Sequence, residues 1–305
     1  MQPAPRTVAI TGASGLIGTA LARSLRADGH AVRPLVRSPS GDPGAVRWDP
    51  AAGTVDVAGL EGVDAVVHLA GAGIGDKRWT AARKREIAES RTRGTDLIAR
   101  TIAGLARPPD VLVSGSAIGY YGDRGDEVLT EDSPPGDDFL AHVVQDWEAA
   151  AAPARDVGIR TAHLRTTLVL AGDGGVLPRM ALPFRFFVGG RLGSGRQWQS
   201  WITLHDMVAA IRLILDGRLE GPVIMGSPQP VTNAELARAI GAALERPSAL
   251  PAPAFALRIA LGRELADSLL FASQRAHPAV LTEAGFTYAH PDIASALDAT
   301  LGSAR

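Results

Sequence analysis

Three glycines near the start of the chain, Gly12, Gly15 and Gly18, stand three residues apart. Glycine lets a backbone turn sharply and come close to a ligand, so this spacing suits the cradle of a phosphate. Such a cradle works between a strand and a helix, because a helix N-terminus aims unpaired N–H groups and partial positive charge at the anion. The flanks supply both. Thr7-Val8-Ala9-Ile10 reads as a strand buried on two faces, and Leu16, Ile17, Ala20, Leu21 and Leu25 recur at helical spacing. We expect Gly12, Ser14, Gly15, Leu16, Ile17 and Gly18 to surround the pyrophosphate of a dinucleotide.

The next strand, residues 31–36, ends in Val36-Arg37-Ser38. A fold that selects NAD usually places a carboxylate there for the ribose 2′-hydroxyl. Arg37, with Ser38 as a second donor, suits a 2′-phosphate and favours NADP(H); the alternative is an ordinary solvated loop arginine. A third buried run, residues 65–72, ends in Leu69, Ala70 and Gly71, residues that let the chain pass close to a dinucleotide, and His68 within it reads as a core histidine. Asp49, before Pro50, reads as a turn former with adenine contact as the lesser option.

Further along, strand 111–114 runs into Gly115-Ser116-Ala117-Ile118-Gly119-Tyr120-Tyr121-Gly122. Small and hydroxylated residues at a strand's carboxyl end are where an α/β sheet puts its chemistry. Ser114 is expected beside the cofactor, Ser116, Tyr120 and Tyr121 as candidates for proton transfer, and Thr166 from the strand over 158–170 as a further cofactor contact. Residues 172–202 read as a glycine-rich, irregular segment, a length of loop that is usually functional. Its Gln197, Trp198 and Trp201 are expected at a substrate, with Arg196 as another polar contact, although Trp201 equally reads as packing.

The remaining pattern supplies the frame. A long charged helix is expected within 76–106, its Arg83, Lys84, Arg85, Glu86, Glu89, Arg91 and Arg93 largely solvated. Helices follow at 139–155, 204–215, 233–244, 254–260, 265–271 and 278–284, with a strand at 222–226; Thr232 and Glu235 form a capping box. This is an α/β chain, a Rossmann-type doubly wound parallel sheet with a smaller, discontinuous, mainly helical substrate lobe. We expect residues 1–170 plus about 203–226 to form the first unit, and 171–202 plus 227–305 the second.

Basic and acidic residues nearly cancel, 31 against 32, which argues against a nucleic-acid partner. The absence of cysteine excludes disulfides, thiol catalysis and thiolate metal sites, and no metal is expected. The first strand begins too early for a signal peptide and no apolar run is long enough to span a bilayer, so a cytoplasmic monomer or homodimer acting on a small molecule is expected.

In this order the pieces resemble the extended short-chain dehydrogenase/reductases, the epimerase/dehydratase group, and within it the branch termed epimerase family proteins. The resemblance is carried by R-W-T-A-A-R-K (78–84), S-R-T-R-G-T (90–95), F-L-A-H-V-V-Q-D-W-E (139–148) and G-S-G-R-Q-W-Q-S-W-I (193–202), and continues in P-V-T-N-A-E-L (230–236), P-A-F-A-L-R (253–258) and L-T-E-A-G-F (281–286). It implies a seven-stranded sheet with a small C-terminal domain. It also implies Tyr-x-x-x-Lys chemistry, in which the lysine lowers the tyrosine pKa. That pair is missing: the candidate positions hold Phe139 and Val143, or Leu140 and Val144. The usual Asn falls on Arg91, and the usual Ser or Thr on Ala117, or on Ser116 if the loop is one residue longer. Two readings follow: an NADP(H)-dependent oxidoreductase or epimerase with a relocated acid, or a catalytically silent NADPH-binding regulatory or partner-binding protein.

Overall fold

Val8 and Ile10 point to one side of their strand and Ala9 to the other, and all three are buried, so helices must cover both faces. The computed structural model, which describes residues 4–302, shows how. The first half runs β1 (Thr7–Thr11), α1 (Leu16–Ala27), β2 (Ala31–Val36), β3 (Val46–Asp49), β4 (Thr54–Val55), α2 (Val57–Leu60), β5 (Ala65–His68), α3 (Ala81–Ala103) and β6 (Val111–Ala117). A 3₁₀ turn over Ile118–Tyr121 leads to β7 (Val128–Leu129), α4 (Phe139–Ala149), α5 (Ala152–Asp156), β8 (Arg160–Thr166) and β9 (Leu168–Leu170). Then come α6 (Leu177–Arg185), β10 (Trp198–Gln199), β11 (Trp201–Thr203), α7 (Leu204–Asp216), β12 (Gly221–Met225), β13 (Val231–Thr232) and α8 (Asn233–Leu244). The chain ends with α9 (Ala254–Leu261), α10 (Arg263–Ala266), a π-helical turn at Asp267–Phe271, β14 (Arg275–Ala276), α11 (Ala279–Glu283) and α12 (Ile293–Leu301). Among the described residues, no helix is long and apolar enough to cross a membrane.

The main sheet has the order β12-β8-β6-β5-β1-β2-β3-β4, parallel throughout except for the antiparallel β4 edge. It is therefore an eight-stranded, Rossmann-like doubly wound sheet, one strand wider than the resemblance implied. The extra strand is the antiparallel β4 edge, whose Val55 pairs with Trp48 of β3. Strand order reverses at β1, whose neighbours are β2 and β5, and that switch point opens a crevice at the carboxyl ends. One face packs on α1 and α7 through Leu21, Leu25, Met207, Ile211 and Ile214; the other packs on α3 and α5 through Ile98, Ile102, Ala151 and Ala154.

A third apolar cluster gathers Leu177 and Phe184 of α6, Leu236 and Ile240 of α8, and Leu297 and Leu301 of α12 around Trp201. Helices α6 and α12 stand where no helix was expected from sequence. Pro178 sits in the first turn of α6, where proline costs no hydrogen bond, and Pro183 inside it obscures the helical pattern. Asp292 starts α12 by accepting from the Ser295 N–H at 2.9 Å. The helix expected over 139–155 divides into α4 and α5, with Pro153 in the first turn of the second. The strand expected over 158–170 divides at Thr167, whose hydroxyl donates to Met225 O at 2.6 Å, so that β9 leaves the main sheet to pair with β11. The capping box of Thr232 and Glu235 is present on α8.

Two histidines are buried within the sheet. His68 pairs through Nδ1 with Thr11 Oγ1 at 2.8 Å and meets Trp48 edge-on, while its Nε2 has no partner. His163 on β8 has no partner at either ring nitrogen. Burial lowers both from 6.5 to about 4. Between those values the unfolded chain binds more protons than the folded one, so stability present above pH 6.5 is lost as pH falls toward 4. A His163→Leu variant removes one of these protonation penalties. We expect the loss of urea stability between pH 7 and pH 4.5 to shrink by up to about 3 kcal/mol, with little change at pH 8. An unchanged pH profile would show that His163 is not held neutral by the fold.

Candidate functional site

The turn between β1 and α1 is shaped by contacts that only glycine tolerates. Gly12 has a φ of 67°, and a Cβ there would stand 3.0 Å from the carbonyl carbon of Leu69. A Cβ at Gly18 would stand 2.3 Å from Gly12 O, so Gly18 admits the turn to the first coil of the helix. Gly15 caps α1 and donates to Gly12 O at 2.9 Å. No acidic side chain occupies the first turn, which leaves the helix N-terminus electropositive. The cradle thus fits a pyrophosphate on backbone geometry alone.

This turn opens into a cleft of about 1090 Å³ along the carboxyl ends of β1, β2 and β5. Of the residues expected at a dinucleotide, Gly12, Ser14, Gly15, Arg37, Ser38, Leu69, Ala70 and Gly71 line it. Arg37 and Ser38 are exposed at the end of β2, and Arg37 forms no ion pair among the described residues. Leu16, Ile17 and Gly18 lie outside the wall: Gly18 serves the turn, and Leu16 packs beneath Gly174 and Gly175. Ser114 is fully buried and donates to Gly115 O at 3.3 Å, so its expected place beside the cofactor is corrected. Asp49 accepts from the Ala51 and Ala52 N–H groups, the turn role, while Trp48 and Pro50 beside it face the cleft. Arg83 corrects the expectation of a solvated helix face. It is buried against the cleft wall, donates to Gly73 O and holds Glu86 at 2.6 Å.

Beyond the cleft lies a second cavity of about 210 Å³, walled by α3, α4, the end of β6, β10 and the π-helical turn. Arg91 stands between the two, its side chain against Gly71 and its Nη1 donating to Ala72 O at 3.0 Å and Ile87 O at 3.1 Å. Burial, aided by the charge of Arg83, lowers Arg91 to about 10. Leu140 and Val144 both face this cavity, whereas Phe139 packs edge-on against Trp79. The geometry therefore selects Leu140 and Val144 as the pair four residues apart on the cavity side of α4. Trp147, one turn further, reaches across to donate to Thr95 Oγ1 at 2.9 Å. It fits because a Cβ on Gly115 would stand 2.8 Å from its ring.

Thr166 and Trp198 face this cavity, Thr166 rather than the cleft expected for it. The other expected catalytic and substrate residues do not line it. Tyr121 is fully buried beside Leu129, Ile224 and Ala276, and its hydroxyl accepts from Arg165 Nη1 at 2.9 Å. Burial pushes it up to about 12 against the opposing pull of Arg165, which removes it as a proton donor near neutrality. Tyr120 lies under the same guanidinium, 3.5 Å from its ring centre. Ser116 donates to Glu148 Oε1 at 2.6 Å and Arg165 holds both Glu148 oxygens, at 2.9 and 3.0 Å. Burial opposes charge on Glu148, but the Arg165 hydrogen bonds prevail and hold its carboxyl below the usual range. Ser116, Glu148, Arg165 and Tyr121, with Tyr120 stacked on the guanidinium, form a hydrogen-bonded strut rather than a reaction centre. Gln197 is equally committed, donating to Leu192 O and Leu270 O, and Trp201 is core, its Nε1 donating to Gln229 O. Arg196 is exposed and absent from both walls. Sequence reading reached Arg91, Leu140 and Val144 only as positions that lack the expected Asn, Tyr and Lys, and gave no cavity role to Trp147 or Leu269.

One group of ligand-type side chains, His205, Asp206 and His290, brings its ligand atoms within 4.8 Å of one another. The Asp206 oxygens are occupied there by the N–H groups of Ala289 and His290 and by the Thr203 hydroxyl.

A doubly wound sheet with a glycine cradle at its switch point defines a Rossmann-type dinucleotide fold, and residues 8–224 match the NAD dependent epimerase/dehydratase family. The chain belongs to that family. Residues 252–300 match a domain of unknown function, DUF1731. An epimerase family protein of Mycobacterium leprae is 43% identical over 95% of this chain and 94% of its own. Human epimerase family protein SDR39U1, solved as a crystal structure with NADPH, superposes with a TM-score of 0.89 at 34% identity, covering 97% of this chain and 99% of that one. A nucleoside-diphosphate sugar epimerase from Corynebacterium glutamicum, also solved, gives 0.82 at 39% identity over 98% of this chain and 59% of its own.

The cradle generates a direct test. Gly12→Val places a branched side chain against the Leu69 backbone in a conformation valine disfavours. Calorimetry should find no dinucleotide binding by the variant that circular dichroism shows to be folded. Retained affinity would remove Gly12 from the phosphate site.

Proposed function

We propose that this chain binds NADP(H) in the cleft and acts as an NADP(H)-dependent oxidoreductase or epimerase-type protein on a small molecule held in the adjoining cavity. The observation that carries this reading is the end of β2, where an unpaired arginine and a serine replace the carboxylate that would accept a ribose 2′-hydroxyl. The NADPH bound by the human relative supports it. When bound, NADP(H) supplies hydride exchange. The chain's residues cradle the pyrophosphate through Gly12 to Gly15, select the 2′-phosphate through Arg37 and Ser38, and set Arg91 where cleft and cavity meet. The cavity wall offers the Gln199 amide and the Ser268 hydroxyl rather than a tuned acid. Turnover of generic carbonyl substrates should therefore be slow.

Leu140 and Val144 favour a second reading, in which the protein holds NADP(H) without turning anything over. Oxidation of NADPH followed across a panel of carbonyl compounds separates the two. Saturable turnover supports the enzyme, and tight binding without turnover supports the silent holder.

Cofactor choice is the first quantity to measure. The wild type should prefer NADPH over NADH by roughly one to two orders of magnitude, since a charge-assisted contact contributes about 1.5–3 kcal/mol. Arg37→Ala should erase most of that preference and leave NADH affinity nearly unchanged. Equal wild-type affinities in calorimetry would overturn the assignment.

A further inference from the structure

The cavity beside the cleft is poor in charge. Its wall is built mainly from apolar and aromatic side chains, among them Leu140, Val144, Trp147, Leu168, Trp198 and Leu269. Among the described residues that line it, Arg91 alone is ionisable. That guanidinium is partly held by the backbone. Its Nη1 serves two backbone carbonyls, and its plane lies 5.0 Å from the Trp147 ring. Arg275 is stacked on Trp198 at 4.3 Å and is not part of the wall.

The polar groups of the wall are similarly committed. Thr166 Oγ1 donates to Leu164 O, Thr167 Oγ1 to Met225 O and Ser200 Oγ to Gln274 O. Gln274 Nε2 donates to the carbonyls of Ile118 and Gly122. Gln199 accepts from Asn233 Nδ2 at 3.2 Å and keeps its own Nε2 for a ligand, as Ser268 keeps its hydroxyl. The cavity can thus satisfy one or two acceptors on a molecule that is otherwise apolar.

We propose that the molecule taken by this cavity is a neutral, compact, largely apolar carbonyl compound, aromatic or alicyclic, and not a nucleoside-diphosphate sugar. The inference rests on the reading of cleft and cavity as one site. A diphosphate carries at least two negative charges that must be paired when removed from water, and among the described residues the wall supplies one cation, Arg91, whose Nη1 is already held by two carbonyls. Volume points the same way. About 210 Å³ falls below the roughly 300–1,000 Å³ of pockets that take drug-sized ligands, and a nucleoside-diphosphate sugar is larger than most of those. Trp147 and Trp198, on different elements, add aromatic surface to the wall that suits a ring.

The test titrates 1-acetonaphthone and UDP-glucose into the full-length protein, with and without saturating NADPH, reading tryptophan fluorescence and heat of binding. The expected result is saturable, micromolar binding of 1-acetonaphthone and none of UDP-glucose. Leu269→Arg, a substitution in the π-helical turn remote from the phosphate cradle, should weaken 1-acetonaphthone at least about tenfold by placing an unpaired charge in the wall. Its NADPH affinity and thermal melt serve as fold controls. UDP-glucose bound more tightly than 1-acetonaphthone would overturn the ligand class while leaving the cofactor reading intact. 1-Acetonaphthone binding indifferent to Leu269→Arg would overturn its placement in the cavity. If 1-acetonaphthone binds but NADPH does not, the cofactor reading fails and the cavity's chemistry stands.

Discussion

The buried guanidinium of Arg165 is the interaction on which the arrangement of the site depends. It sits near the end of β8 and gathers three separate elements: Glu148 from α4, the Tyr121 hydroxyl from the 3₁₀ turn, and the Glu131 carbonyl from the loop after β7. Each of those elements carries part of the cavity wall or its support. Breaking a buried pair by removing one partner costs about 3–5 kcal/mol, mostly because the remaining charge is stranded. The bond also fixes orientation. With both Glu148 oxygens held, α4 has one rotation about its axis, and that rotation turns Leu140, Val144 and Trp147 toward the cavity. The helix on which the resemblance implied a Tyr-x-x-x-Lys pair therefore presents apolar surface to the cavity.

A second carboxylate does comparable work at the sheet's edge. Glu131 accepts the Ile224 N–H at 2.9 Å and the Ala279 N–H at 3.1 Å, with Val280 at 3.4 Å. Burial raises its pKa although every one of these contacts lowers it. The carboxyl group ties the last strand of the sheet to the start of α11, two segments that share no ladder. Short two-stranded pairings, β7 with β14 and β10 with β13, continue the same stitching between chain regions far apart in sequence.

What was legible in the sequence was local. The glycine turn, the parallel strands and the α8 capping box are each specified by neighbours a few residues apart, and all of them are present in the fold. Arg37 and Ser38 belong to the same class, since their place follows from the end of one strand. Tyr121 was misread because its environment is set by Arg165, 44 residues away, and nothing in Gly-Tyr-Tyr-Gly announces that partner. Gln197 was misread for the same reason, its amide being committed to Leu270 O at a separation of 73 residues. Leu140, Val144 and Trp147 form an ordinary amphipathic stripe, which periodicity cannot distinguish from core.

The two compartments of the site draw on different lengths of chain. All the residues that line the cleft fall between 12 and 90, whereas the cavity needs residues from 74 to 274. On a ribosome the cleft residues therefore emerge within the first third of synthesis, long before the π-helical turn that closes the cavity. The order of translation gives the chain the groove of its glycine turn first and the wall of its second cavity last.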